Sequence, residues 1–176
     1  MAITSRWDKT LPCLLDRITG GEGPKDTFVS PQRYLSSVRR DIYWLLRTEV
    51  GRASQMLLDE NSGKSLADFP NARSSVIAYG VPKSSGEQGL VSLETELLRL
   101  IEKAIETFEP RIVRGTLRVR RSVKAENDSQ DSTASNFSFE IECDVRMKPL
   151  PEHLLLKAHY SPATTQWRME GVALGS

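Results

Sequence analysis

Glu109, Pro110 and Arg111 sit together in the octapeptide FEPRIVRG, at the end of the longest helical stretch in the chain. A helix C-terminus carries partial negative charge, so a carboxylate there costs about 0.3–1 kcal/mol where a basic residue would be favoured. Pro110 drives the residue before it toward extended backbone and has a stiff φ of its own, so the triplet makes a rigid corner bearing two opposite charges. One chemistry that such an acid could serve is glycoside hydrolysis, which needs two acids about 5–9.5 Å apart, one of them with a raised pKa. No second carboxylate is tied to Glu109 by spacing. The plain alternative is a helix stop with solvated charges.

The remaining reactive residues form no constellation. His153 and His159 are six apart, which on one strand puts them on the same face but about 20 Å from each other, too far for one metal ion. Cys13 and Cys143 lack CxxC spacing and read as reduced thiols of a cytosolic protein. The chain has no Gly-rich phosphate loop, HExxH or nucleophile elbow. Its most basic run, VRGTLRVRR, alternates like a strand and has no interleaved aromatic on which a base could stack, so a solvated or cross-strand-paired face is expected, not a nucleic-acid site.

The totals agree with a structural reading. The 176 residues suit one domain with a terminal arm, and 24 basic against 23 acidic residues leave a net charge of +1, which supplies no field for steering onto nucleic acid or anionic lipid. An apolar share of 39% with 27% charged residues fits a folded core. The start MAITSRWDKT has no apolar segment like that of a signal peptide, and no run approaches the roughly 18 apolar residues that span a bilayer.

The elements that must position the corner follow from periodicity. SRWDKTLPCLLDRI carries Trp7, Leu11, Leu14, Leu15 and Ile18 at helix-like spacing before the Gly-rich GGEGPKD, making an apolar arm that its own domain or another chain must cover. Self-docking is the commoner solution. Ser30 and Pro31 are suited to the cap and first position of a helix running to about Arg47, with Tyr34, Leu35, Val38, Ile42, Leu45 and Leu46 on its core stripe and Arg33, Ser37, Arg40 and Arg47 largely outside it. FPNARSSVIAYG predicts a short helix or turn ended by Gly80, and VPKSSGEQG a loop. A long helix follows, with Ser92 as cap, Glu94 and Glu96 at its positive end, and Leu93, Leu97, Leu100, Ile101, Ala104, Ile105 and Phe108 in one stripe.

Past the corner the period becomes two. TLRVRRSV and NFSFEIECDVRM alternate as strands and are expected to pair, Arg118 and Arg120 attracting Glu140 and Glu142; Arg121 interrupts the apolar face of the first. The polar link 124–136 joins them, and HLLLKAHY and TTQWRMEGV give two further strands around a turn. Helices first and strands after predict an α+β fold, with the arm and amphipathic helices packed on one face of a mainly antiparallel sheet. Residues 1–26 form a docking arm and flexible linker, and residues 27–176 a single domain.

In this order SRWDKTLPCLLDRI, SVRRDIYWLLRT, SSVIAYGVP and SLETELLRLIEKAIETFEPRI resemble the N-terminal arm, first amphipathic helix, central motif and long helix with Glu-Pro-Arg signature of the GPW/lysozyme-like wedge family of contractile phage baseplates, in its TssE-type branch from type VI secretion systems. The resemblance implies a lysozyme-like wedge domain with a structural role and no catalytic residue, cofactor or metal. It implies contact with the wedge subunits TssF and TssG, with TssK and the TssB/TssC sheath in the same assembly, and neither nucleic acid nor membrane insertion. The place implied is the cytoplasm, in the baseplate at the cytoplasmic side of the inner membrane. Glu109, Pro110 and Arg111, with Trp7, Leu11, Leu14 and Leu15 of the arm, are the partner-binding residues implied, and a sheet edge is implied to meet the first sheath ring by strand exchange. Link 124–136 matches no element of the family. The family's lysozyme-like label keeps a peptidoglycan hydrolase as the alternative.

Overall fold

A computed structural model of the chain describes residues 10–18, 28–50, 68–82, 90–122 and 136–170. Trp7, the Gly-rich segment 20–26 and positions 124–135 of the polar link lie outside these residues. In chain order the elements are α1 (Leu14–Ile18), α2 (Pro31–Arg47), β1 (Glu49–Val50), α3 (Pro70–Arg73), a 3-10 turn (Val76–Ala78), β2 (Val81–Pro82), α4 (Leu90–Phe108), β3 (Arg118–Arg121), β4 (Phe137–Val145), β5 (Glu152–Ser161) and β6 (Gln166–Met169). The fold is α+β.

Helix α2 begins where its cap predicts: the Ser30 hydroxyl accepts from the Arg33 N–H at 3.3 Å, and Pro31 occupies the first helical turn. Val38, Ile42, Leu45 and Leu46 are buried along the stripe, and so is Ser37, expected largely outside it. Its hydroxyl donates back to the Tyr34 carbonyl at 2.7 Å, and this satisfied hydrogen bond lets a polar side chain sit against the core. Helix α4 starts at Leu90, two residues before Ser92, which therefore lies within the first turn and not at the cap. Neither Leu90 nor Val91 breaks a helix, so the turn begins ahead of Ser92.

Strands β3, β4, β5 and β6 form one antiparallel sheet in that spatial order. Register sets Arg118 opposite Glu142 and Arg120 opposite Glu140. The ion pair that forms is the diagonal one, Arg120 to Glu142 at 3.4 Å, while Glu140 accepts from the Ser122 hydroxyl at 3.1 Å. Arg121, the interruption in the strand pattern, has its Nε 3.1 Å from Glu94 Oε1 of α4. Phe139, Ile141, Cys143 and Val145 of β4 and Leu154, Leu156 and Ala158 of β5 share the buried face with Val38, Ile42 and Leu45 of α2 and Leu97, Ile101 and Ile105 of α4. Helix α4 lies against β3 and α2 against β6, and the helices touch each other. Both helices thus cover one sheet face, and each large aliphatic side chain buried between the layers contributes about 1.5–3 kcal/mol.

One feature had no signal in the periodicity. β1 and β2 make a two-stranded parallel pair, Glu49 opposite Val81, that ties the end of α2 to the segment before α4. Gly80 makes this approach possible: its φ is +124°, and a Cβ there would stand 2.3 Å from the Thr48 carbonyl oxygen.

Candidate functional site

The Glu-Pro-Arg corner is built by the junction of α4 with β4. The Glu109 N–H completes the last helical turn by donating to the Ile105 carbonyl at 2.9 Å, and Pro110 then stops the helix. Beyond it the chain is stitched to the end of β4: the Arg146 N–H donates to the Arg111 carbonyl at 2.7 Å and the Val113 N–H to the Asp144 carbonyl at 2.8 Å. The corner is therefore held from both sides.

Its charges are satisfied within the chain. Glu109 is only 6% exposed. Arg111 donates to it through Nε at 2.6 Å and Nη2 at 2.5 Å, and the Arg111 N–H adds a bond to Oε1 at 3.2 Å. The same Nη2 reaches Asp41 Oδ2 of α2 at 2.7 Å, and the guanidinium lies 6.0 Å from the centre of the Tyr34 ring. Burial disfavours the charged guanidinium, but the bonds to Glu109 and then Asp41 outweigh it and hold its pKa above the usual arginine value. Magnitudes explain the misplaced acid: the macrodipole penalty is about 0.3–1 kcal/mol, whereas hydrogen bonds to charged groups contribute about 1.5–3 kcal/mol each. Glu109 has a partner without any second subunit.

The network continues to the arm. Arg40, next to Asp41 on α2, donates through Nε to Asp41 Oδ1 at 3.2 Å, through Nη1 to Asp16 Oδ1 at 2.6 Å and through Nη2 to Cys13 Sγ at 3.0 Å. The Cys13 thiol donates to Asp16 Oδ2 at 2.9 Å. Burial pushes the Asp16 carboxyl up, but the bonds from Cys13 and Arg40 outweigh it and hold the group below its usual value. In contrast, burial beneath the helices, with Asp144 nearby, pushes the Cys143 thiol up to about 12. One cysteine belongs to the site and the other to the core.

Between arm and corner lies a groove of about 540 Å³, walled by Leu14 and Leu15 on one side and by Leu45, Tyr79, Phe108 and Pro110 on the other. Tyr79 and Phe108 meet edge to face at 5.4 Å. Burial, with Asp41 and Glu109 nearby, raises the Tyr79 hydroxyl pKa. The structure thus brings Leu14 and Leu15 to the same groove as Glu109, Pro110 and Arg111. Leu11, Leu14 and Leu15 are exposed, Leu14 at 69%, so the arm docks by its polar side and turns its leucines outward. The sequence reading missed Asp41, Arg40, Asp16 and Cys13; the Arg-Asp pair on α2 was the one local hint.

The two histidines lie on the uncovered sheet face with separate partners. His153 Nδ1 is 3.1 Å from Asp144 Oδ1; His159 Nδ1 is 2.9 Å from Ser138 Oγ and its Nε2 3.2 Å from Glu170 Oε1. Among the described residues no group of three or more His, Cys, Asp or Glu is placed to hold a metal ion, and no helix is long and apolar enough to cross a membrane.

A family model described as baseplate wedge protein gp25 matches residues 32–150, a span that runs from the first turn of α2 through the corner and β4 to the loop before β5. The chain belongs to the baseplate wedge protein gp25 family. No curated protein and no solved structure gave a significant match. Membership makes this chain a structural subunit of the phage baseplate wedge type, and it places α2, α4, the corner and the β3–β4 hairpin within the family's shared part.

Proposed function

We propose that this chain is the TssE-type wedge subunit of a type VI secretion baseplate, joining TssF and TssG and helping the contractile sheath to start. The observation that carries the reading is the family match over the very span that contains the corner, together with the four motifs that resemble the TssE-type branch in order. In this reading the corner is a docking element presented ready-made. Its ion pair is already desolvated and bonded internally, so a partner meets a fixed shape and little ordering cost remains. The outward leucines of the arm supply the apolar part of the contact, and TssK and the TssB/TssC sheath complete the assembly on the cytoplasmic side of the inner membrane. The sheet's two edges, β3 and β6, are where main-chain augmentation by a sheath strand would have to occur.

The chemistry of Glu109 supports a structural role over glycan hydrolysis. Both oxygens of its buried carboxylate accept from Arg111, so the group is engaged inside the chain and not free to meet a leaving group. The test is capture of TssF and TssG by wild type and by the Glu109→Ala/Arg111→Ala variant, with circular dichroism to establish that the variant is folded. Loss of capture is expected. Unchanged capture would reduce the corner to a helix stop, and failure of the wild type to capture either protein would overturn the assignment. Peptidoglycan turnover by the purified chain that disappears on Glu109→Gln would replace it with the hydrolase.

A further inference from the structure

We infer that the arm is a latch coupled to the corner through Asp41, so that seating of α1 on α2 helps fix the orientation of Arg111. Five side chains of alternating charge run without a gap from one to the other: Asp16, Arg40, Asp41, Arg111 and Glu109, joined at 2.6, 3.2, 2.7 and 2.6 Å. Asp41 is the shared member, with Oδ1 on Arg40 and Oδ2 on Arg111. Because Arg40 is anchored by its Nε, its two terminal nitrogens point as a fork at Asp16 and Cys13.

α1 is five residues long and contains no buried residue, and helices this short are not stable alone. Ahead of it, the Val29 N–H donates to the Thr10 carbonyl at 2.9 Å. Without Arg111, the Asp41 carboxylate has only Arg40 to bond and draws its fork away from the arm. Without Asp16, Arg40 turns to Asp41 and competes with Arg111. Coupling of this kind acts equally in both directions. The coupling is internal to this chain and needs no baseplate partner.

The two cysteines provide the measurement. Cys13 reports the latch, and Cys143, fully buried, reports global opening. In the full chain, Arg111→Met is expected to raise the rate at which dithiobis-nitrobenzoate reacts with Cys13 by about 5-fold or more, with Arg111→Lys restoring most of the protection and Cys143 unreactive throughout. A Cys13 rate within about 2-fold of wild type, with Cys143 still protected, would overturn the coupling. Should Arg111→Met expose Cys143 as well, the reverse direction decides: Asp16→Asn lies on α1, which contains no buried residue, and it should shift or broaden the Arg111 Nε–H resonance. An unchanged resonance overturns the inference by itself.

Discussion

The side chain of Glu109 is an acid at the wrong end of a helix, made right by a guanidinium two residues away. Removing it leaves the Arg111 charge with Asp41 as its remaining carboxylate partner. Glu109→Ala should therefore destabilise the fold near the lower end of the about 3–5 kcal/mol seen when buried pairs are broken, measured by urea unfolding. A cost under about 0.5 kcal/mol, the range of ordinary surface changes, would mean that the pair contributes nothing. At the other end of the network, Asp16 titrates below its usual value of 3.8 because Cys13 and Arg40 bond its ionised form. A depressed carboxylate pKa means that its stabilisation is fully present above the unfolded-chain value and is lost as pH falls through the folded one. A carboxyl-carbon NMR titration should give Asp16 a midpoint below 3.8, rising in Arg40→Met.

Among the elements, the decisive feature is a sheet with both long helices on one face. Phe139 is fully buried beneath the helices while Leu155, on the neighbouring strand, faces outward and is half exposed. Phe139→Ala should cost about 3–5 kcal/mol by lost transfer energy and cavity formation, and Leu155→Ala less than about 0.5 kcal/mol. Comparable costs at the two positions, read from urea or thermal unfolding, would mean that the outer face is also covered. The diagonal Arg120–Glu142 pair is a smaller matter, worth a few tenths of a kcal/mol on an exposed face.

For the molecule as a whole, the charge supplies no field for steering onto nucleic acid. Net charge is +1, and the basic strand spends its arginines locally: Arg120 on Glu142, and Arg118 on the Gly115 and Leu117 carbonyls. The chain should accordingly show no DNA or RNA retention in fluorescence anisotropy at physiological salt. Tight binding that weakens steeply as salt rises, and is lost in Arg118→Ala/Arg120→Ala, would contradict this. In the proposed wedge reading, the exposed leucines of α1 and the groove beside the corner are the surface that partners would cover.

The sequence by itself determined the pieces whose burial has a local period. The stripes of α2 and α4, the Ser30-Pro31 start, the alternation of β3 and β4 and their pairing of arginine against glutamate were all legible, because a helix repeats every 3.6 residues and a strand every two. It also marked the corner, since an acid before proline at a helix end is a local misfit. Tertiary structure alone decided how the Glu109–Arg111 pair that resolves this misfit is tied to the rest of the molecule. Asp41 lies seventy positions from Arg111, and Arg40 twenty-seven from Cys13; no spacing rule connects residues that meet only when helices pack. The same holds for buried Ser37 and for the β1–β2 pair seated on Gly80. Periodicity reports which side of an element faces inward, whereas the choice of ion-pair partner depends on which element stands opposite.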